Sequence, residues 1–326
     1  VLKALAGLAV GLVSLSACVA GPADPAASAT SPGGSGGQLR IALIAKANAS
    51  DYWTAVKEGA LAAGRELGVE VTFNGPDTES EGDKQLNQLQ SAVNDKPAGI
   101  GFAPQDGAQD GAPTVLEQAQ ASGIPVVAFD TPLNTSDIPI TTVASNNLGI
   151  GAMAAQHLVE LTGGKGKVAI IANGEVGTAA DRRDGFVEYL EANAPGIEIV
   201  AIQNGESDPA KSRDKAQGIL QAHPDLAGFF GTDDDSVIAI ADEVAAKGLD
   251  IKTIGVDASP DEVALVREGK ITGAVTQNPY GIGYQTVKVL VDAVKGIQPE
   301  SKSIVSESVW YTAGNLDSEE VKQVIR

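Results

Sequence analysis

Residues 39–67 read LRIALIAKANASDYWTAVKEGALAAGREL, and this stretch decides the fold. Its first seven residues form an almost wholly apolar run of strand length. From Tyr52 to Leu67 apolar residues recur at helical spacing, with Trp53, Val56 and Ala60 on one stripe. An apolar strand without alternation, followed by an amphipathic helix, is typical of a parallel sheet covered on both faces. The stretch therefore predicts a βα unit of a doubly wound α/β protein.

The same unit recurs along the rest of the chain. Short apolar runs predict ten strands, at 39–45, 69–73, 99–102, 125–129, 140–143, 167–171, 197–200, 227–230, 253–256 and 273–275. Helix-length amphipathic segments lie between them. Ten strands are too many for one doubly wound domain and natural for two, and 288 residues from Leu39 to Arg326 suffice for two domains of roughly 100–200 residues each. We expect a break near residues 144–146.

The N-terminal residues predict export and a lipid anchor. Lys3 precedes an uncharged stretch that ends in Leu-Ser-Ala directly before Cys18, as in the lipobox of bacterial lipoproteins. The stretch is shorter than the roughly 20 residues that cross a bilayer. We therefore expect a signal peptide at 1–17, a lipid on Cys18 and a flexible linker over 18–38, which is rich in Ala, Pro, Ser and Gly. The protein is then anchored to the cell membrane outside the cytoplasm, at the cell surface or in the periplasm.

Composition excludes several classes of function. The formal net charge is −19, so nucleic acid and anionic lipid are poor partners. Cys18 is the only cysteine, and a lipid on it leaves no thiol for a disulfide or a zinc–thiolate site. The only two histidines, His157 and His223, fall in a helical pattern and at a helix end, where structural or surface roles are expected. We predict no catalytic residue, no metal site and no cofactor.

Polar and aromatic residues follow the predicted strands. Ligands of open α/β sheets bind outside the carboxyl ends of the strands. The residues at those ends include Lys46, Ser50, Tyr52, Trp53, Asp130, Arg182, Asp233, Asp257 and Gln277. Carboxylates accept hydrogen bonds from vicinal hydroxyls, Arg and Gln donate to hydroxyl and ring oxygens, and an aromatic ring covers the C–H face of a sugar. The set predicts a site for a sugar or polyol.

Two of these candidates have contrasting positions. Asp130 is the strongest, because it ends a wholly apolar strand. Trp53 falls on the apolar stripe of its helix and is equally well explained as a core residue. Tyr52 lies one position off that stripe, and we expect its side chain to face the ligand more readily than that of Trp53.

The remaining charged candidates have structural alternatives. Residues 233–235 are three aspartates at the start of a helix, where acids complement the helix dipole. We expect one of them to bind the ligand and the other two to cap the helix or face solvent. Asp257 could cap the following turn instead. Arg182, next to Arg183, could belong to an exposed ion-pair cluster.

From Leu39 to about Val309 the chain resembles the type I periplasmic binding proteins, in the sugar-binding branch that feeds ABC importers. The residues that carry the resemblance are Trp53 with Gly59-Ala60, Gly123-Ile-Pro-Val-Val-x-x-Asp130, Gly177-Thr178 with Arg182 and Gly185-Phe186, Ala222-His-Pro-Asp225, Gly255-Val-Asp257 and Gln277. The resemblance implies two doubly wound lobes joined by three crossovers, with the ligand cleft between them. It implies an N-terminal lobe of 39–145 plus 278–306 and a C-terminal lobe of 146–277 plus 307–326.

The resemblance also implies roles for individual residues. The aromatic pair that sandwiches the sugar falls on Tyr52 and Trp53, the polar contacts fall on Asp130, Arg182, Asp257 and Gln277, and Asp233 stands where ribose binders carry Asn. Thr131 replaces the arginine that follows the aspartate in ribose binders, and Ser50 replaces an Asn. Lys46 and residues 74–80 are more similar to a neighbouring branch that includes autoinducer-2 receptors.

These features together predict a monomeric, non-enzymatic solute-binding lipoprotein. We expect it to bind a pentose, a hexose or a sugar alcohol by lobe closure and to pass the ligand to an ABC permease and its ATPase. One alternative is an autoinducer-2-like signal receptor. Another is a surface glycosidase that uses Asp130 and Asp257 as its two carboxylates.

Overall fold

The structure, a computed structural model, describes residues 38–134, 137–206 and 208–325. The predicted signal peptide, the lipid site at Cys18 and nearly all of the linker lie outside these residues. The described residues form twelve strands: β1 (Arg40–Ile44), β2 (Glu70–Asn74), β3 (Gly99–Phe102), β4 (Val126–Phe129), β5 (Thr141–Ser145), β6 (Gly166–Ala172), β7 (Ile197–Asn204), β8 (Leu226–Gly231), β9 (Lys252–Val256), β10 (Gly273–Val275), β11 (Ser303–Ser306) and β12 (Trp310–Tyr311).

The described residues also form ten helices. They are α1 (Asp51–Leu67), α2 (Gly82–Asn94), α3 (Ala112–Ala121), α4 (Asn147–Thr162), α5 (Thr178–Asn193), α6 (Pro209–Ala222), α7 (Asp234–Ala246), α8 (Pro260–Arg267), α9 (Pro279–Val294) and α10 (Glu319–Val324). Helix α1 begins where the Ser50 hydroxyl caps it, and it ends at Gly68, whose positive φ of 70° suits glycine. Within the described residues, no helix combines the length and the apolar character needed to cross a bilayer.

The strands form two six-stranded sheets. The first has the order β11-β5-β4-β3-β1-β2 and the second β12-β10-β9-β8-β6-β7. All pairings are parallel except that of β12 with β10. The predicted class, two doubly wound α/β lobes, is confirmed. The chain passes between the sheets three times, after β5, after β10 and after β11. The lobe boundaries assigned from the sequence stay a prediction.

Two strands, β11 and β12, were not predicted from the sequence. Strand β11 is the edge strand of the first sheet, and its side chains alternate between exposed and half-buried. Strand β12 has only two residues and forms the edge of the second sheet. A continuous apolar run marks a strand that is buried on both faces, and an edge strand lacks that signal.

The core occupies both faces of each sheet. In β1, Ile41 and Leu43 pack on the face that α1 and α9 cover, while Ala42 and Ile44 pack on the opposite face under α2 and α3. Because successive side chains of a strand point to opposite faces, both sets must be apolar. Burial of both faces of β1 therefore explains the apolar run at residues 39–45.

Glycines bring two pairs of helices into backbone contact. A Cβ atom at Gly59 of α1 would lie 1.9 Å from the Tyr280 carbonyl oxygen of α9, and one at Gly151 of α4 would lie 1.9 Å from the Arg182 carbonyl oxygen of α5. No side chain fits at either crossing. Since α1 carries Tyr52 and α5 carries Arg182, these crossings determine where two of the predicted site residues lie.

Candidate ligand-binding site

Two aspartates occupy equivalent positions in the two sheets. Asp130 directly follows β4 and Asp257 directly follows β9, and each strand is the third from its edge in the orders given above. Their φ angles are 62° and 99°, a region that non-glycine residues seldom adopt. Each backbone N–H donates to the adjacent strand, to Val143 and Val275 respectively. Such backbone conformations cluster at functional sites, where the surrounding structure holds them in place.

The residues that follow the strands of the first sheet form one half of the candidate site, which we call a half-site, and Asp130 is at its centre. Its buried carboxylate accepts hydrogen bonds from the Tyr52 hydroxyl at 2.6 Å and the Thr131 hydroxyl at 2.9 Å, and it forms an ion pair with Lys46 at 2.8 Å. Burial alone would raise the pKa of Asp130, but the charge of Lys46 and these hydrogen bonds lower it below its usual value. The carboxylate is therefore ionised and fixed in position.

Lys46 explains a departure noted in the sequence. Thr131 stands where ribose binders carry an arginine, and here Lys46, which follows β1, supplies the cation beside Asp130. Burial, the largest single effect, lowers the pKa of Lys46, but the charges of Asp130 and Glu79 and the hydrogen bond to Asp130 together outweigh it, and the pKa is raised. Lys46→Ala would leave Asp130 buried without its counter-charge. Loss of binding in that variant would therefore not by itself favour an autoinducer-2-like receptor over a sugar receptor.

The aromatic pair does not form a sandwich. The rings of Tyr52 and Trp53 lie in edge contact, with centroids 5.0 Å apart and an interplanar angle of 87°, so no ligand fits between them. Trp53 is 1% exposed and packs against Phe129, and its indole N–H donates to Glu79 at 2.7 Å. These contacts support the core position for Trp53. Ser50, which is exposed, caps α1 through a hydrogen bond from the Trp53 N–H.

Arg182 belongs to the half-site on the second sheet rather than to an exposed cluster. It is 4% exposed, and its guanidinium donates to the Asn147 side chain at 2.9 Å and to the Thr232 carbonyl at 2.8 Å. Its Nη1 lies 4.0 Å from Asp257 Oδ2. The neighbouring Arg183, by contrast, pairs with Asp184 near the surface. Arg182 thus supports the loop after β8 and supplies positive charge near Asp257.

Gln277 connects the site to the crossings between the sheets. Its side-chain N–H donates to Asp257 Oδ1 at 2.5 Å, and its side-chain oxygen accepts a hydrogen bond from the Ser145 hydroxyl at 3.0 Å. Ser145 ends β5, where the chain first leaves the first sheet, and Gln277 follows β10, where it returns. One buried amide therefore joins Asp257 to two of the three crossings.

The three adjacent aspartates have different roles. Asp233 caps α7, since its carboxylate accepts from the Ser236 N–H and hydroxyl, and its other oxygen accepts from Asn173. Asp234 borders the cavity described below, whereas Asp235 does not. Burial and the charges of nearby carboxylates raise the pKa of Asp234 to about 8 and that of Asp235 to about 6. Asp233 was the aspartate expected to contact the ligand, but the cap turns its carboxylate back onto the helix, and Asp234 is the one beside the cavity.

A cavity of about 360 Å³ lies between the residues of the two sheets. Tyr52 borders it from α1, and Asp234, Asp257 and Gln277 border it from the second sheet. The rest of its lining is partly apolar and includes Ala55, Ala258, Pro260, Val263, Pro279, Val324 and Ile325. Its volume is in the range of small-molecule sites.

Three of the nine predicted ligand contacts, Tyr52, Asp257 and Gln277, share this cavity. The buried Asp130, Lys46 and Arg182 are not among its lining residues; Asp130 binds the Tyr52 hydroxyl, and Arg182 is next to Asp257. Among the residues that the structure describes, no group of three or more His, Cys, Asp or Glu is arranged to hold a metal ion. The apolar lining from α8 and α10 was missed, since those side chains look like ordinary helix positions in the sequence.

Two α/β lobes with a small-molecule cavity between them, bordered by acidic and amide side chains as well as apolar ones, have the architecture of a solute-binding protein. Residues 41–298 match the family model for the periplasmic binding protein domain, and the chain belongs to this family. It is a type I periplasmic binding protein of the sugar-binding, ribose-like branch that serves ABC importers, as the sequence predicted. Proteins of this family work outside the cytoplasm and bind solutes without catalysing a reaction.

The relatives agree in length as well as in fold. The chain is 28% identical over 264 residues to the D-allose-binding periplasmic protein of Escherichia coli, covering 78% of this chain and 84% of that protein. It is 26% identical over 289 residues to the ribose import binding protein of Bacillus subtilis, covering 89% and 92% respectively. A carbohydrate transporter solute-binding protein from Agrobacterium radiobacter, solved with D-arabinose, superposes with a TM-score of 0.82 at 26% identity over 90% of this chain and all of the other.

Proposed function

We propose that the protein binds one monosaccharide or sugar alcohol of five or six carbons in the cavity between its lobes, for import by an ABC permease and its ATPase. The observation that carries the proposal is the cavity bordered by Tyr52 from one lobe and by Asp257 and Gln277 from the other. A ligand that contacts both lobes stabilises their closed arrangement, because those contacts exist only when the lobes are together.

The residues divide into direct contacts and supports. Tyr52, Asp257 and Gln277 offer a ring face, an acceptor and an amide to the ligand. Asp130 holds the Tyr52 hydroxyl at 2.6 Å, and Arg182 supplies positive charge near Asp257. A hydroxyl-rich ligand satisfies these buried polar groups, whereas a ligand that lacks the hydroxyls leaves them unpaired.

Several relatives support the size of the ligand. The curated relatives include proteins named for D-allose, ribose and D-apiose, and the solved structures include complexes with D-arabinose and D-fucose. All of these are single sugars of five or six carbons. A sugar alcohol has the same vicinal hydroxyls, and it fits the partly apolar lining because it needs no second aromatic face.

The remaining features complete the proposal. The lobes comprise 39–145 plus 278–306 and 146–277 plus 307–326, with the strand crossings after β5, β10 and β11 in support. A lipid on Cys18 and the linker 18–38 keep the monomeric protein near its permease. The sequence pattern before Cys18 is the support for this anchor.

The experiment is a calorimetric titration of the protein with pentoses, hexoses and polyols, with mass spectrometry of any small molecule that co-purifies. We expect Gln277→Ala to weaken binding at least tenfold. Gln217→Ala is the matched control, because Gln217 is exposed on α6 and outside the cavity. The proposal is refuted if no sugar or polyol binds, or if Gln277→Ala binds as tightly as the unchanged protein.

A further inference from the structure

Charge around the interlobe cavity is unbalanced. Four carboxylates, Asp51, Glu58, Asp234 and Asp257, border the cavity, and no lysine or arginine is among its lining residues. Arg182 lies 4.0 Å from Asp257, but no lysine or arginine of the described chain lies within that distance of the other three carboxylates. The cavity is thus bordered by more acidic groups than nearby cations can pair with.

Asp234 is the one of these four acidic residues that is neither exposed nor close to a cation, although the Asp235 N–H donates a hydrogen bond to its carboxyl group. Asp51 and Glu58 are exposed on α1, where water screens them, whereas Asp234 is half-buried at the start of α7. Its backbone N–H faces Asp257 Oδ2 at 3.4 Å, so the two acidic residues are close together. Burial and the charges of Asp257, Asp233 and Asp235 raise the pKa of Asp234 to about 8, although a hydrogen bond with Ser259 lowers it. The carboxyl group of Asp234 is therefore held largely protonated at neutral pH, since no cation is near it.

The apolar part of the lining strengthens this imbalance. Val263, Val324 and Ile325 form part of the cavity wall, and charges interact more strongly next to such a surface than in water. A neutral sugar can donate a hydrogen bond to Asp234 but brings no charge. An ammonium group brings both a positive charge and three donors. The lining therefore favours a cationic group at this end of the cavity.

Building on the proposed function, we propose that the ligand is an amino sugar or amino polyol, whose ammonium group lies against Asp234 while its hydroxyls face Tyr52, Asp257 and Gln277. Amino sugars and amino polyols have the hydroxyls that this family recognises and also carry the positive charge that the cavity lining lacks. An N-acetylated sugar does not belong to it, because the amide carries no charge.

This placement has a measurable consequence for protons. A bound ammonium group lowers the pKa of the Asp234 carboxyl, which is about 8 beforehand. The carboxyl then ionises, and up to one proton is released for each ligand bound near pH 7. The affinity for the amine should rise above pH 6, as ionised Asp234 becomes easier to form, until the amine itself loses its proton at roughly pH 7.7–8.0.

The test compares matched ligands by calorimetry: D-glucosamine with D-glucose and N-acetyl-D-glucosamine, and the galactose and mannose sets in the same way. In at least one set we expect the amine to bind at least tenfold more tightly than its parent sugar, and the N-acetyl derivative to lose that gain. Titration in buffers of different ionisation enthalpy measures the proton release. Asp234→Asn should remove both the preference and the release, while Asp235→Asn, next to it but outside the cavity lining, should retain them.

The outcomes separate this inference from the proposed function. If neutral sugars bind as tightly as their amines, the inference is overturned and the sugar receptor stands. If neither amines nor neutral sugars or polyols bind, the proposed function itself fails. Equal losses in the Asp234 and Asp235 variants would also overturn the inference, because the preference would then come from the general negative field.

Discussion

Gly151→Ala is the sharpest test of how the fold positions the site. The added Cβ would lie 1.9 Å from the Arg182 carbonyl oxygen, whereas ordinary contact begins at 3.4 Å. Helices α4 and α5 would therefore have to separate by about 1.5 Å. The contacted atom is backbone, so no side-chain rotation relieves the overlap. The shift would move Arg182, whose guanidinium bonds to the Thr232 carbonyl at 2.8 Å.

The expected cost follows from two opposing terms. Overpacking of this kind destabilises by roughly 1–3 kcal/mol, and a backbone-to-backbone clash belongs at the upper end. Replacing glycine by alanine inside a helix stabilises the helix by about 1 kcal/mol, which offsets part of this cost. We therefore expect the free energy of unfolding to fall by about 2 kcal/mol, which lowers the melting temperature by roughly 4–8 °C. Ligand affinity should fall at least tenfold, because the shift of Arg182 reaches Asp257.

Gly218→Ala is the matched control for this experiment. Gly218 lies inside α6, is exposed, and has no atom within 4 Å of its added Cβ. The variant should gain about 1 kcal/mol of stability and bind normally. Thermal melts and calorimetric titrations of both variants are the measurements. If Gly151→Ala melts at or above the unchanged protein and binds as tightly, the backbone crossing does not position Arg182 and the reasoning is wrong.

Three further changes test individual contacts. Asp130→Ala should abolish sugar binding and cost roughly 3–5 kcal/mol in a thermal melt, because it leaves Lys46 buried and unpaired; surviving affinity would show that the site is misplaced. Trp53→Phe should change affinity less than about threefold. It should lower stability by about 2 kcal/mol, through loss of the hydrogen bond to Glu79 and the space left by the smaller buried ring. A tenfold affinity loss would place Trp53 against the ligand. Burial raises the pKa of Glu262 well above its usual value, so stability from this group is full at low pH and is lost as pH rises through the raised pKa. Melts from pH 5 to 9 should show a flatter stability profile in Glu262→Gln, and an identical profile in both proteins would contradict this.

Most of the fold could be predicted from the sequence, for a physical reason. Strands that are buried on both faces must be apolar at every position, and β1 shows this with Ile41 and Leu43 on one face and Ala42 and Ile44 on the other. The edge strands β11 and β12 carry no such pattern, and they became visible only through their pairing.

The site could be predicted in outline but not in detail. The rule that ligands bind at the carboxyl ends of strands located Asp257 and Gln277. Local sequence cannot show which of three adjacent aspartates caps a helix, so Asp234 at the cavity was missed in favour of Asp233. The ion pair of Lys46 with Asp130 joins segments 84 positions apart, and no local sequence pattern predicts such a contact.

The amide of Gln277 touches both Asp257 and Ser145, so the same side chain faces the guest and the connecting segments. Binding or release of the ligand therefore affects the crossings between the two sheets through a single residue. Leu148 lies just beyond Ser145 and is 49% exposed. An environment-sensitive dye attached at Leu148→Cys, in a variant without Cys18, would therefore report ligand binding through a change in its fluorescence.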